Sequence, residues 1–218
     1  MTTMQRPINF REISMGNIAP KVLYRSNHPI NKGQQVEAII SAVTKANIKT
    51  IINLSDSNQS LESRITCCPW YQKMVKENNV IPLNMSMDLD LTDSTLICKI
   101  GQAIMFMIEH EAPYLIHCEA GMDRAGLMSI LMESFMEAPF DDIVKDYMLS
   151  FVDSDDYSAS AYQHGAGFLT NLFSGIKGAV LEANEDLHPI TNRFFTETVK
   201  LDKNVLKQLK TKLMAATC

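Results

Sequence analysis

Short apolar runs alternate with longer amphipathic segments along the first two thirds of the chain. The runs, which are rich in branched residues, predict buried β-strands at residues 22–26, 49–54, 80–84 and 114–117. Apolar positions three and four residues apart predict helices between these strands, at residues 34–46, 69–77 and 94–110. Strands that alternate with helices are typical of an α/β fold with a central, mostly parallel sheet flanked by helices.

Helices dominate the prediction after residue 120. The apolar residues indicate a buried helix from about residue 124 to 136, and further helices at 139–151, 165–181 and 201–214. Residues 153–166, rich in Asp, Ser, Tyr, Ala and Gly, are expected to form a loop or an insertion. Three earlier stretches are mixed or polar and are also expected to be irregular: residues 1–20, 55–60 and 85–94.

Length and composition narrow the class of protein. A chain of 218 residues with 46% apolar and 21% charged residues can form one globular domain. We expect this domain to span residues 1–218, with its core at about 20–152 and a loop and helical C-terminal extension at 153–218. A net charge of -5 argues against a nucleic-acid partner.

The chain also lacks the usual targeting and metal-binding patterns. It has no apolar run of about 20 residues that would span a membrane, and its N-terminus lacks the apolar core of a signal peptide. A cytoplasmic protein is expected, although export by a route that needs no signal peptide is compatible with the sequence. The five cysteines show no paired spacing typical of zinc sites, so we expect reduced thiols and neither a metal nor another cofactor.

The chemistry centres on residues 117–126, His-Cys-Glu-Ala-Gly-Met-Asp-Arg-Ala-Gly, which connect a predicted strand to a predicted helix. Free amide groups and the positive dipole end of that helix make such a turn a good anion site, for phosphate above all. The same field favours the thiolate of Cys118, and Arg124 can bind two phosphate oxygens in a fork. Gly121 lets the backbone turn its amides inward. This pattern predicts attack of Cys118 on a bound phosphoryl group.

Structural roles alone explain these residues less well. Cys118 at the end of a core strand is compatible with an inert buried cysteine, a common environment for this residue. Arg124, however, places a positive charge at the N-terminus of a helix, where it opposes the dipole. A bound anion accounts for an arginine at that position.

Cys118 and Arg124, with five residues between them, His117 before them and Ala125-Gly126 after, resemble the signature loop of the cysteine-dependent protein tyrosine phosphatase superfamily. The nearest likeness is to bacterial tyrosine or dual-specificity phosphatases with the loop His-Cys-x-Ala-Gly-Lys-Asp-Arg-Thr-Gly. Residues 23–26 and 146–150 also resemble this branch. The His-Cys-Glu-Ala-Gly opening is similar to that of the inositol-phosphate-hydrolysing members. The matches extend over about residues 20–150.

The resemblance implies a protein tyrosine phosphatase-like fold and a role for each loop residue. Cys118 would be the nucleophile, and His117 would orient it and tune its pKa through hydrogen bonding. Arg25 would either support the loop or touch substrate, and a surface arginine in a strand-ending turn is the alternative. The phosphate would be bound by the loop residues: Glu119, Ala120, Gly121, Met122, Asp123 and Arg124.

The general acid that protonates the leaving group is left open among three aspartates. In most of the superfamily it lies about thirty residues before the cysteine, where Asp88 and Asp90 fall. Asp123 occupies the position of an aspartate in the loop of the bacterial relatives, although an N-terminal helix cap also explains it. Asp93 is better explained as a cap of the following helix.

Two departures from the family pattern leave the substrate and the turnover open. Ala125 stands where a serine or threonine usually donates a hydrogen bond to the leaving thiolate, and Met122 replaces a lysine. We therefore expect hydrolysis of a phosphorylated protein, phosphotyrosine or mixed, or of a small phosphoester. An inositol phosphate or phosphoinositide is the alternative substrate, and a pseudophosphatase that binds phosphate without turnover is the alternative function.

Overall fold

A central sheet organises the computed structural model, which describes residues 9–30, 36–151 and 158–215. The sheet order is β1-β2-β5-β3-β4. The strands β2, β5, β3 and β4 are parallel, and β1 pairs with β2 in the antiparallel sense. Their bounds are β1 Arg11–Ile13, β2 Leu23–Ser26, β3 Thr50–Asn53, β4 Val80–Pro82 and β5 Tyr114–His117. The predicted mostly parallel α/β sheet is confirmed.

Nine α-helices lie within the described residues. In chain order they are α1 Val36–Lys45, α2 Asn58–Arg64, α3 Pro69–Lys76, α4 Ser94–Glu109, α5 Asp123–Phe135, α6 Phe140–Met148, α7 Ala159–Lys177, α8 Leu187–Arg193 and α9 Lys203–Met214. A short 3-10 helix, Ile65–Cys67, follows α2, and a π-helix, Phe194–Thr198, follows α8. None of the helices in the described ranges is long and apolar enough to cross a membrane.

The central strand β5 is buried on both faces because helices cover both sides of the sheet. Leu115 points into an apolar cluster with residues of α1 and α3, such as Val43 and Tyr71. Its neighbour Ile116 points to the opposite face, which is covered by α4, α5 and α9. This alternation follows from the two-residue period of a strand.

Helix α5 is buried on all sides, and every residue after Asp123 in it is buried. One side packs on the sheet, and α6 and α8 cover the other, with α7 packed against both of these helices. A helix that is apolar around its whole circumference must be enclosed in this way. The enclosure fixes the N-terminal end of α5, which begins directly after the loop of residues 118–122.

Four segments differ from the sequence prediction. Residues 11–13 form the edge strand β1, although residues 1–20 were expected to be irregular, and α8 with its π-helix was not predicted. Part of the polar stretch 55–60 belongs to α2, because Ser57 and Ser60 form a reciprocal capping box at its start. The loop expected at 153–166 is wrong from Ala159 onward, where Ser158 caps α7. Residues 153–157 lie outside the described residues.

Candidate active site

The candidate site lies at the carboxyl end of β5, where open parallel sheets bind ligands. β5 ends at His117, α5 begins at Asp123, and Cys118 opens the connection between them. The neighbouring strands are in register with this end, since His117 pairs with Ser26 of β2 and Asn53 of β3. Only 2% of Cys118 is exposed to solvent. The thiol therefore lies at the bottom of the loop and not on its rim.

Four consecutive carbonyl groups of the loop accept hydrogen bonds from donors outside it. The pairs are the His28 amide to Glu119 O (3.2 Å), Asn9 Nδ2 to Ala120 O (2.9 Å), Arg25 Nη2 to Gly121 O (2.9 Å) and Arg25 Nη2 to Met122 O (3.0 Å). Because the carbonyls point outward, the peptide N–H groups are turned toward the opposite, concave side. No described residue accepts a hydrogen bond from an amide of residues 119–124. Together with the N-terminus of α5, these amides form an anion-binding concavity.

Gly121 is the one loop position where the backbone requires glycine. Its φ is +72°, in the left-handed region that residues with a Cβ rarely adopt. A Cβ built on it would also lie 2.5 Å from the amide nitrogen of Asn27 and from the carbonyl carbon of Ser26. The loop therefore packs directly against the backbone at the end of β2.

The Arg124 guanidinium is bonded to one carbonyl group and keeps a donor that no described residue pairs with. Its Nη1 donates to the carbonyl of Met85 at 3.1 Å, while Nε is buried without a partner among the described residues. Arg124 as a whole is only 8% exposed. A buried charged group with unused donors is strongly unfavourable unless an anion binds to it. This geometry fits a phosphate clamp formed by Arg124 and the loop amides.

Arg25 is fully buried behind the loop. Its Nη1 donates to Asp146 Oδ2 at 3.1 Å, and Arg11 Nε donates to the other oxygen of the same carboxylate at 2.7 Å. Burial and the neighbouring Arg11 lower the pKa of Arg25 to about 10, although Asp146 acts in the opposite direction, so Arg25 stays charged at neutral pH. This burial does not fit the expectation that Arg25 touches substrate. It favours the alternative that Arg25 supports the loop.

His117 belongs to a buried polar network. Its Nε2 lies 2.9 Å from the hydroxyl of Tyr71, and its ring packs edge-on against His28 with 4.6 Å between the ring centroids. Burial and the proximity of His28 lower the pKa of His117 well below its ordinary value, so the ring is neutral. His28 in turn lies 2.6 Å from the carboxylate of Asp56. The network fixes the residue before the nucleophile, whereas the expected tuning of the Cys118 pKa by His117 stays a prediction.

The three candidate acids occupy different environments. Asp88 is exposed, and its carboxylate makes no hydrogen bond to the described residues. Asp90 accepts from the amide and the hydroxyl of Thr92, both at 2.8 Å, and these bonds lower its pKa. Asp123 is the first residue of α5, so the cap position belongs to Met122 and not to Asp123. The predicted cap at Asp93 is confirmed, since its carboxylate accepts from the amides of the first turn of α4.

Several residues that shape the loop were missed by the sequence analysis. Three of them, Asn9, His28 and Met85, make hydrogen bonds to the loop or to Arg124. These bonds join distant segments or involve backbone groups, so they leave no local signal in the sequence. Asp146 is the first residue of the segment 146–150 that resembles the family pattern. This resemblance was the sequence signal that could have indicated its ion pair with Arg25. Ala125 is fully buried and supplies no hydroxyl at the position after Arg124. Among the described residues, no three His, Cys, Asp or Glu side chains are grouped so that they could hold a metal ion.

A family model described as "Tyrosine phosphatase family" matches residues 2–215, nearly the whole chain. The chain therefore belongs to the tyrosine phosphatase family, and the resemblance to cysteine-dependent phosphatases is confirmed. A search of curated proteins gave no match.

Solved structures with a similar fold include two of Siw14, one titled as the core catalytic domain of the PP-IP phosphatase from S. cerevisiae. That structure is 17% identical and covers 75% of this chain and 86% of its own, with a TM-score of 0.45. The second, the Siw14 catalytic core, is 14% identical over 88% and 95% of the two chains, with a TM-score of 0.46. TpbA from P. aeruginosa is 15% identical over 85% and 98%, with a TM-score of 0.44.

Proposed function

We propose that this protein hydrolyses phosphomonoesters, with phosphotyrosine or mixed phosphoprotein substrates, through a phosphocysteine intermediate. The observation that carries the proposal is the loop, whose carbonyls are tied outward and whose amides surround the space above Cys118. Arg124 closes that space, and its Nε has no partner among the described residues. These groups can hold three phosphoryl oxygens while the fourth, the ester oxygen, points toward solvent.

In the proposed reaction the Cys118 thiolate attacks phosphorus, and the bond from phosphorus to the ester oxygen breaks. A carboxylic acid protonates the departing oxygen. Water then attacks the phosphocysteine and gives a proton to the carboxylate left by the first step. The S–P bond breaks, inorganic phosphate is released, and the thiolate is regenerated. The loop amides and Arg124 stabilise the charge on the phosphoryl oxygens in both steps. The chain's own cations and dipoles supply this stabilisation.

The surroundings of the loop support a substrate with one phosphate on an apolar group. We use the term mouth for Met87, Asp88, Glu119 and Met122, which lie in the loop or within three residues of Met85. Met87 is 61% exposed and Met122 is partly exposed, so the mouth offers apolar contacts to an aromatic ring. Glu119 adds negative charge, which disfavours a substrate carrying many phosphates.

The proposal is tested by hydrolysis of para-nitrophenyl phosphate in the presence of a metal chelator, followed from the first turnover. We expect an initial burst of about one nitrophenolate per protein and then a slower steady rate. The reason is that Ala125 supplies no hydroxyl to the thiolate that leaves the phosphocysteine. Ala125→Ser should raise the steady rate ~10-fold or more, the range seen for one added or lost oxyanion donor. Phosphate binding without any turnover would instead favour a pseudophosphatase.

The general acid is tested by comparing Asp88→Asn, Asp123→Asn and Asp90→Asn. We favour Asp88 because it lies three residues after Met85, which holds Arg124, and because its carboxylate has no other partner among the described residues. Asp88→Asn should lower kcat/KM for a phosphotyrosine peptide by ~100-fold or more. The loss should be much smaller for para-nitrophenyl phosphate, whose leaving group needs little protonation.

Asp90→Asn removes the same charge from the same segment, at a carboxylate already bonded to Thr92, so we expect a smaller loss in this variant. A substrate-selective loss in Asp90→Asn alone would assign the role to Asp90. A substrate-selective loss in Asp123→Asn and not in Asp88→Asn would assign the role to the loop aspartate.

A further inference from the structure

Helix α2 places a second arginine beside the loop. Arg64 is the last residue of α2, and its Nη1 donates to Glu119 Oε2 at 2.9 Å. Its Nε lies 3.3 Å from Asp56 Oδ1. Glu119 directly follows Cys118 in the chain, so this ion pair lies at the first residue of the loop after the proposed nucleophile.

Asp56 holds Arg64 in place from the buried side of the pair. Its buried carboxylate also accepts from the side chains of His28, Asn53 and Ser60, at 2.6, 2.9 and 3.1 Å. Although burial opposes ionisation, the bonds from His28 and Asn53 lower the pKa of Asp56 below its ordinary value. The carboxylate is therefore charged at neutral pH, and it holds the guanidinium at a fixed place.

The pair is accessible from solvent, unlike the clamp at Arg124. The side chains of Arg64 and Glu119 are 36% and 41% exposed, and Nη2 of Arg64 makes no bond to the described residues. An exposed ion pair of this kind contributes little to stability. Because the pair lies at the loop, it contributes more to the electrostatic potential around an entering substrate than to stability.

We propose that the Glu119–Arg64 pair selects substrates by charge, which refines the proposed function and rests on it. Glu119 pairs with the Arg64 guanidinium, which would otherwise bind a second phosphate, and the negative charge of Glu119 repels that phosphate. The pair thus favours a substrate with a single phosphate dianion and selects against polyanions such as inositol polyphosphates. Removal of Glu119 would free Arg64 to bind a second phosphate.

This role predicts opposite effects for two substitutions. Glu119→Gln frees Arg64 and removes a negative charge, so it should raise the preference for a polyanion. Arg64→Gln leaves Glu119 without its partner, so it should lower that preference. Arg64→Gln should fold, because Asp56 keeps its three other donors. A purely structural role would lower activity on all substrates together and leave the preference unchanged.

The experiment measures kcat/KM for inositol hexakisphosphate and for para-nitrophenyl phosphate, and compares the ratio of the two among variants. We expect Glu119→Gln to raise this ratio about tenfold and Arg64→Gln to lower it by a similar factor at low ionic strength. Both changes should shrink in high salt. Glu137→Gln is the matched control, because it removes the same charge from an exposed pair, with Lys210, beyond the far end of α5.

A ratio that stays within twofold of the unmodified protein in both variants would overturn the proposal, as would a shift of both in the same direction. Failure of the proposed function has a separate signature, namely no turnover of either substrate. In that case calorimetry measures the dissociation constants of inositol hexakisphosphate and of inorganic phosphate. The ratio of these two constants then replaces the ratio of kcat/KM values, and the same criteria apply to it.

Discussion

Replacing Cys118 with serine is expected to abolish turnover of para-nitrophenyl phosphate, with a loss of ~10⁴- to 10⁶-fold in kcat. A serine hydroxyl keeps the shape of the side chain, but it is a much weaker nucleophile than a thiolate. His117 Nε2 is bonded to the hydroxyl of Tyr71, so this nitrogen is not available as a base for the serine hydroxyl. The rate is measured with chelator present, over a range of pH.

Anion binding should survive the same substitution, because the loop amides and Arg124 are untouched. Calorimetry with vanadate or inorganic phosphate should give a dissociation constant within a few-fold of the unmodified protein. Cys98→Ser is the matched control, since this thiol is exposed on α4 and should be dispensable. Residual turnover of more than about one per cent in Cys118→Ser would contradict the proposed nucleophile.

Replacing Asp146 with alanine is expected to lower the free energy of unfolding by about 3–5 kcal/mol, the range for a buried ion pair that loses one partner. The change leaves Arg25 charged and fully buried, with only carbonyl groups to stabilise it. Arg11 also loses both of its carboxylate bonds. Urea unfolding followed by circular dichroism measures the effect.

Glu133 modifies this expectation in a testable way. It is fully buried in α5 without a hydrogen-bond partner among the described residues, and burial together with repulsion from Asp146 raises its pKa well above the ordinary value. Once Asp146 is gone, Glu133 ionises more readily and can partly balance Arg25. The double change Asp146→Ala with Glu133→Gln should therefore destabilise more than the sum of the single changes.

Asp142→Ala provides the control for Asp146, because it lies in the same helix but is exposed. Its effect should stay within about 1 kcal/mol, as for other exposed charges in a first helical turn. An equal loss in both variants would mean that α6, and not the buried ion pair, determines the result.

The sequence predicted the central part of the fold well because its signals there are local. Residues 114–117 form a continuous apolar run and are also the observed strand β5. The loop motif places the predicted nucleophile and the predicted clamp within one window of seven residues, which is why both could be proposed from the sequence. Helices α4 and α9 were found from the same kind of local periodicity.

The parts that were missed depend on contacts between distant segments. β1 is a strand only because it pairs with the edge of β2. α2 begins at a polar stretch whose two serines cap each other, and it buries a single leucine, Leu61, so it has no periodic signal. The orientation of the loop likewise depends on Asn9 and Met85, which are far from Cys118 along the chain. Such partners become visible only once the sheet has brought them together.

The way the loop is held has a consequence for how substrate preference can diverge among related proteins. Its shape is fixed from behind by Asn9, Arg25 and His28, none of which lies at the mouth. Met87, Glu119 and Arg64 can therefore be exchanged with little effect on the receptor for the phosphate itself. If the proposed reaction and the proposed selectivity are both right, they depend on separate sets of side chains, and a change of specificity at the rim would leave the buried support of the loop intact.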